Sequence, residues 1–143
     1  MPSAITDKLL QGSWPQDMSQ AYQHADVIVF CAQERPPPDH VVPPGKRLFY
    51  IPYDDTHDLR VVPIVDLQKL AKRLAEEIHA GKRVLVTCAM GLNRSGLLTA
   101  LTLGRAYGMS GEQAVQRVRD RRPGALRNGI FARLARDLID GRR

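Results

Sequence analysis

The feature that most constrains this chain is a ten-residue segment, residues 87–96, between an apolar run and a helical pattern. Val84, Leu85 and Val86 precede it and are typical of a buried strand. An apolar pattern with helical spacing begins directly after it, at Leu97. The segment is therefore predicted to be a loop that joins the end of a strand to the beginning of a helix.

The residues inside this loop indicate an anion site that contains a nucleophile. Successive backbone N–H groups of such a loop can converge on a phosphate, and the N-terminus of the following helix adds favourable partial charge. The same field stabilises a thiolate at Cys88, and the planar fork of Arg94 can hold two oxygens of one phosphoryl group. The alternative is a buried cysteine that ends a core strand, with Arg94 solvated in the first helical turn. The remaining loop residues expected around the anion are Ala89, Met90, Gly91, Leu92 and Asn93.

Residues 84–96 resemble the signature loop of the cysteine-dependent phosphatases, Cys-(any five)-Arg-(Ser/Thr), as found in the compact dual-specificity branch of the protein tyrosine phosphatase superfamily. Residues 5–13 are similar to the opening strand of that branch, and residues 122–134 to the segment that starts its last helix. The resemblance implies a single catalytic domain over residues 1–143. The order of predicted elements indicates a central, mostly parallel twisted sheet flanked by helices, with a C-terminal run of helices.

The resemblance also implies a reaction, the hydrolysis of phosphate monoesters through a cysteinyl-phosphate intermediate. Cys88 would be the nucleophile, and Arg94 would clamp the phosphoryl oxygens. Ser95 would donate a hydrogen bond to the sulfur, although its position also suits a helix N-terminal cap. A hydrolase that acts as a tyrosine or dual-specificity protein phosphatase is therefore expected.

The general acid is expected in residues 53–56, where the family keeps it. Asp55 is the favoured residue because it best matches the register of that position, and it would act first as acid and then as base on water. Asp58 comes next, and Asp54 stays open. The alternative for all three is an ordinary solvated carboxylate or turn former in a loop that Pro52 marks.

Two positions near the proposed site stand apart from this pattern. The family normally places histidine directly before the nucleophile, where it orders the loop, whereas this chain has Thr87. Its hydroxyl is expected to bond a loop carbonyl without adding positive charge, so Cys88 should become reactive at a higher pH than is usual for the family. Cys31 is either a resolving thiol for Cys88 or a buried structural cysteine, and the second is favoured.

The net charge of +6 is unevenly distributed, with −1 over residues 1–93 and +7 over residues 94–143. The basic half either steers anionic substrates or is made of solvated helix faces. Residues 35–45 form a short proline-rich loop, which suggests a shallow cleft open to phosphotyrosine, phosphoserine and phosphothreonine. A phosphorylated protein is therefore ranked first as substrate, an RNA 5′ end or polyphosphate second, and a phosphate-binding module without catalysis third.

The sequence indicates no resident cofactor or metal, because no cluster of histidines and cysteines has metal-ligand spacing. It has neither an apolar run of membrane-spanning length nor a signal pattern, so a cytoplasmic monomer without membrane contact is expected. Strands are predicted over 5–12, 27–31, 47–51 and 84–87. Helices are predicted over about 16–24, 62–80, 95–107, 111–121 and 129–140, with Ser110 and Asn128 as caps.

Overall fold

The computed structural model describes residues 2–141 and contains, within that range, one five-stranded sheet and five α-helices. The strands are β1 (Ser3–Ala4), β2 (Leu9–Ser13), β3 (Val27–Ala32), β4 (Arg47–Tyr53) and β5 (Val84–Cys88). The helices are α1 (Met18–His24), α2 (Ile64–His79), α3 (Arg94–Tyr107), α4 (Gly111–Arg121) and α5 (Gly129–Asp140). The predicted α/β class, with helices alone at the C-terminal end, is confirmed.

The sheet has the order β1-β2-β5-β3-β4, and every neighbouring pair is parallel except the antiparallel β1 and β2. Both central strands, β3 and β5, are buried along their whole length. Their side chains alternate between two apolar clusters, so that Val27 and Val29 lie on one face of the sheet and Ile28 and Phe30 on the other. This two-sided burial is why both strands are continuous apolar runs in the sequence.

The structure differs from the predicted elements mainly at the N-terminal end. The single strand predicted over residues 5–12 is a hairpin, because the N–H groups of Ile5 and Thr6 both donate to the carbonyl of Leu9 and turn the chain. Helix α1 begins later than predicted because Asp17 caps it by accepting from the N–H of Gln20. In the C-terminal half, α4 and α5 have the predicted bounds, with the predicted caps in place.

The parallel strands bring their carboxyl ends to one edge of the sheet. β3 ends at Ala32, β4 at Tyr53 and β5 at Cys88. Ligand sites in open parallel sheets lie outside this edge. Three segments therefore begin side by side: the proline-rich loop (35–45) after β3, the segment with the three aspartates (54–59) after β4, and the loop that follows Cys88 after β5. None of the helices in the described range is long and apolar enough to cross a bilayer.

Candidate active site

The carbonyl groups of residues 89–92, in the loop that follows β5, are each held from outside the loop. The carbonyl of Ala89 accepts from the backbone N–H of Trp14 at 3.2 Å. The carbonyl of Met90 accepts from Nη2 of Arg122 at 3.3 Å. The first half of the loop is thereby tied to the chain beyond β2 and to the C-terminal end of α4.

The second half of the loop is held in the same way by buried partners. The carbonyl of Gly91 accepts from Nε2 of Gln11 at 3.0 Å and from Nε of Arg122 at 2.6 Å. The carbonyl of Leu92 accepts from the backbone N–H of Leu126 at 3.1 Å. The four successive carbonyls are thus committed to partners outside the loop.

The direction of these carbonyls fixes the direction of the N–H groups. In a planar trans peptide the N–H of the next residue points opposite to the carbonyl. The N–H groups of residues 90–93 therefore point to the inside of the loop, and none from residues 90–96 donates a hydrogen bond to another described residue. Helix α3 begins at Arg94 and adds its free first-turn N–H groups. The loop is a concave set of donors suited to an anion.

Gly91 makes this loop shape possible. Its backbone has a φ of +72°, and a Cβ atom there would lie only 2.3 Å from the carbonyl carbon of Gly12 in β2. Any other residue at position 91 would have to move the loop away from β2. The glycine is therefore a structural requirement of the donor arrangement.

Cys88 lies at the base of the loop, next to Ser95. Its side chain is buried, and its Sγ lies 3.2 Å from the Ser95 hydroxyl oxygen. That oxygen also accepts from Nε2 of Gln11 at 3.3 Å, which leaves the serine proton free for donation to a thiolate. The cap position of α3 is occupied by Asn93, so Ser95 lies inside the helix rather than at its cap.

Arg94 is buried, which contradicts the alternative of a solvated arginine. Its Nη1 and Nη2 donate to the two carboxylate oxygens of Glu34 at 2.5 and 2.7 Å, and Nη1 also donates to the carbonyl of Tyr53 at 3.2 Å. The arginine lowers the pKa of Glu34 to about 2, chiefly through this hydrogen bond. Of the five guanidinium N–H groups, the side-on pair on Nε and Nη2 remains, and Nε is buried without a partner among the described residues.

Asp55 is held by two asparagine side chains. Nδ2 of Asn93 donates to one carboxylate oxygen at 2.8 Å, and Nδ2 of Asn128 donates to the other at 2.8 Å. The two asparagines are themselves linked, since the backbone N–H of Asn128 donates to Oδ1 of Asn93 at 2.9 Å. The structure therefore connects Asp55 directly to the anion loop and to the cap of α5.

The other two aspartates have different surroundings. Asp58 caps the 3-10 turn Leu59–Val61 by accepting from the N–H of Arg60, and it also pairs with the guanidinium of Arg60. Asp54 is exposed and makes no hydrogen bond with the described residues. Of the three carboxylates, Asp55 is the one joined to the loop.

Neither Thr87 nor Cys31 donates a hydrogen bond to the carbonyls of residues 89–92. The Thr87 hydroxyl donates to the carbonyl of Val29 in β3 at 2.8 Å, so the expected bond to a loop carbonyl is wrong. Cys31 is fully buried in β3, and burial, with a smaller contribution from Cys88, raises the pKa of its thiol well above the usual value. Cys31 is thus kept as a neutral thiol, and its burial agrees with the favoured interpretation of a structural cysteine. The alternative of a resolving cysteine stays untested.

Sequence reasoning missed four residues of this site. Gln11, Glu34 and Arg122 had no assigned role in the loop, and Asn128 was recognised only as a helix cap. The signal for Gln11 was available, since it is a polar residue inside the apolar pattern of β2. Glu34 and the Asp55 contact of Asn128 depend on how distant segments meet, which no local pattern shows.

Comparisons with known proteins agree with this geometry. The family model for the dual specificity phosphatase catalytic domain matches residues 9–137. The tyrosine-protein phosphatase MSG5 of Saccharomyces cerevisiae is 28% identical over 96 residues, which cover 66% of this chain and 19% of that protein. This chain therefore spans about a fifth of the length of the curated relative that it matches.

Two solved structures share the fold. Human DUSP28 is 22% identical with a TM-score of 0.80, and the alignment covers 99% of this chain and 93% of that one. A mouse putative dual specificity phosphatase, complexed with zinc tungstate, is 20% identical with a TM-score of 0.80, over 99% of this chain and 89% of that one. Since the family model spans most of the sequence and the fold agrees with it, the chain belongs to the dual-specificity phosphatase family.

Proposed function

We propose that this chain, as a single catalytic domain, hydrolyses phosphate monoesters by way of a covalent cysteinyl-phosphate. The observation that carries the proposal is the buried Nε of Arg94, which has no partner within residues 2–141 and lies beside a loop whose N–H groups point inward. A buried donor without a partner is costly and calls for an acceptor that arrives from outside. A tetrahedral phosphoryl group supplies acceptor oxygens for the arginine and for the loop together.

Glu34 supports this assignment because it leaves the correct edge of Arg94 open. The carboxylate occupies the end-on pair of nitrogens, and the side-on pair on Nε and Nη2 stays available for two phosphoryl oxygens. Glu34 therefore holds the guanidinium in place without competing for the phosphate. Tungstate, with which the mouse relative is complexed as zinc tungstate, is also a tetrahedral oxyanion.

The first chemical step transfers the phosphoryl group to sulfur. The Cys88 thiolate attacks phosphorus in line, an S–P bond forms, and the bond from phosphorus to the leaving oxygen breaks. Arg94 and the loop N–H groups stabilise the charge on the three equatorial oxygens. Asp55 donates its proton to the leaving oxygen, so that the product departs as a neutral alcohol or phenol.

The second step returns the enzyme to its starting state. The Asp55 carboxylate takes a proton from water, the water oxygen bonds to phosphorus, and the S–P bond breaks. The departing sulfur becomes a thiolate again, and the Ser95 hydroxyl stabilises it by donating a hydrogen bond. Inorganic phosphate is released, and Asp55 is protonated for the next cycle.

A phosphorylated protein is the preferred substrate class. Arg117 and Arg119, from the basic half of the chain, donate to main-chain carbonyls at 3.3 and 2.9 Å, and Arg136 pairs with Glu112 at 3.0 Å. These side chains support the fold, so the interpretation as solvated helix faces is wrong for them. They are also committed inside the protein, which weakens the case for a nucleic-acid surface.

The aromatic residue that contacts the loop gives a second argument against RNA. The backbone N–H of Trp14 binds the loop, and the Arg35 guanidinium lies 4.5 Å from the centre of its ring. A base would have to displace this cation in order to stack on the indole. An RNA 5′ end or a polyphosphate therefore stays the second candidate.

The experiment that tests the proposal is hydrolysis of p-nitrophenyl phosphate in the presence of EDTA. Wild type should turn over, Cys88→Ser should lose activity, and Asp55→Ala should be strongly impaired. Full activity in Asp55→Ala would move the acid role to Asp54 or Asp58, or point to a substrate with a good leaving group. A folded wild type with reduced Cys88 and no turnover would overturn the proposal and favour a phosphate-binding module.

A further inference from the structure

Gln11 is a fully buried amide in the middle of β2, on the strand that pairs with the cysteine strand β5. Its Nε2 lies 3.0 Å from the carbonyl of Gly91, 3.4 Å from that of Leu92 and 3.3 Å from the Ser95 hydroxyl oxygen. Removing an amide from water is costly unless hydrogen bonds replace those to solvent. All three acceptors lie in or directly after the anion loop, so the cost of burying the NH2 group of Gln11 is offset there. Its Oε1 is buried without a partner among the described residues.

Thr87 contributes nothing comparable, although it directly precedes the nucleophile. Position 87 pairs with Gly12 in β2, but the Thr87 hydroxyl turns to the carbonyl of Val29 in β3. The side-chain support that the family resemblance led us to expect at position 87 is therefore absent from the loop. Gln11 of the neighbouring strand β2 donates to loop carbonyls instead.

We propose that Gln11 orders the anion loop in place of the residue at position 87. It is a positioning residue for Cys88 and for the N–H groups of the loop. Together with Arg122, which donates to the same carbonyl, it holds the Gly91 carbonyl and so orients the N–H of Leu92 into the anion site. By donating to the Ser95 oxygen, it directs the serine proton toward the Cys88 sulfur. The effect on turnover rests on the proposed phosphatase function, whereas the effects on thiol reactivity and phosphate binding do not.

The variant that tests this is Gln11→Met, which keeps the length of the side chain and removes the donor. Thr87→Val is the matched control, since it also removes one buried hydrogen bond from a side chain to a carbonyl, but one that ends in β3. Both variants are first compared with wild type by thermal unfolding. A cooperative transition establishes that each is folded before the site is measured.

Two readouts that do not require turnover then separate positioning from stability. The first is the pH midpoint of Cys88 alkylation by iodoacetamide, and the second is protection of Cys88 from that reagent by inorganic phosphate. In Gln11→Met the midpoint should rise by about one pH unit, because the Ser95 hydroxyl is no longer held in the position from which it donates to the thiolate. Protection should require about tenfold more phosphate, because loop donors are no longer fixed. Thr87→Val should lose thermal stability and keep both wild-type values.

Turnover of p-nitrophenyl phosphate completes the comparison. Gln11→Met should lower kcat/KM at least about tenfold near pH 6 and recover part of the loss at higher pH, where the thiol ionises. A midpoint and phosphate protection in Gln11→Met equal to those of Thr87→Val would overturn the inference, whatever the stability of the two proteins. Absence of turnover in wild type would instead contradict the proposed function, while the alkylation results would still decide the role of Gln11.

Discussion

The loop after β5 and the segment 54–59 after β4 leave the same edge of the sheet but are held in different ways. The first has its carbonyls tied to main-chain and buried side-chain donors, and it contains the buried Cys88. The second is largely exposed, and Asp55 is held there by amide groups of two side chains. The geometry around the nucleophile is thus built into the fold, whereas the geometry around the acid depends on a few contacts.

This difference implies that the two halves of the reaction can be damaged separately. Substitutions that act on the loop should impair phosphate binding and every substrate alike. Substitutions that act on the aspartate segment should leave phosphate binding intact. In the first chemical step they should impair only substrates whose leaving oxygen needs a proton.

The largest effect is expected for Arg94→Lys, which keeps the charge and removes the planar fork. Loss of the side-on pair of donors should lower kcat about a thousandfold and weaken phosphate protection of Cys88. Steady-state kinetics with p-nitrophenyl phosphate measure the first effect. Arg121→Lys, at an exposed position of α4, is the matched control. Equal activity in the two variants would show that Arg94 contributes only charge.

Asp55→Asn should have the next largest effect, and the effect should depend on the leaving group. For p-nitrophenyl phosphate we expect a loss of about a hundredfold in kcat/KM, which reports the first chemical step alone, within the usual range for general acid catalysis. For an aryl phosphate with a strongly acidic phenol the loss should be small, because that phenolate departs unprotonated. Asp54→Asn is the control and should resemble wild type. An equal loss with both substrates would remove Asp55 from the acid role.

Asn128 permits a test of how the acid is held. Asn128→Asp keeps a capping oxygen for α5 but replaces the amide donor by a second carboxylate next to Asp55. The added like charge favours the protonated form of Asp55. The pH above which activity falls should therefore be higher in this variant than in wild type. Asn128→Ser also keeps a cap and should give a smaller shift, with kcat reduced about tenfold. An unchanged pH–rate profile in both variants would contradict a role in catalysis for the contact between Asn128 and Asp55.

The smallest effect concerns stability rather than rate. The pKa of Glu34 is lowered from 4.5 to about 2, so its pairing with Arg94 stabilises the folded state above about pH 4.5 and is lost as the pH falls toward 2. Glu34→Gln should therefore be less stable than wild type near neutral pH, and the difference should shrink over that acidic interval. Because the carboxylate is half exposed, we expect less than about 1 kcal/mol, measured by urea unfolding at several pH values. A difference in the free energy of unfolding that does not change with pH would indicate that side-chain packing, and not the ion pair with Arg94, causes it.

The sequence predicted the residues that follow one another in the loop better than those that meet the loop from distant segments. Cys88, Arg94 and Ser95 follow one another at fixed spacing along a strand, a loop and a helix, so a local pattern was enough to bring them together. Gln11 lies far from the loop in sequence and enters it through the pairing of β2 with β5. That pairing depends on the topology of the whole sheet, which residue patterns do not specify.

The same distinction applies to the fold. Helices α4 and α5 were predicted with their bounds because caps at Ser110 and Asn128 mark their starts. The N-terminal hairpin was missed because its turn rests on the Thr6 hydroxyl, which accepts from the N–H groups of Lys8 and Leu9. A local side-chain contact of this kind leaves no periodic signal.

The most direct test of the central claim is to trap the covalent intermediate. Wild type would be mixed with p-nitrophenyl phosphate, quenched in acid within the first turnovers, digested and analysed by mass spectrometry, with Cys88→Ser as the control. We predict a phosphate adduct on the peptide that contains Cys88, and none in the Cys88→Ser protein. Sustained turnover by wild type without an adduct at Cys88, or undiminished turnover by Cys88→Ser, would contradict the account.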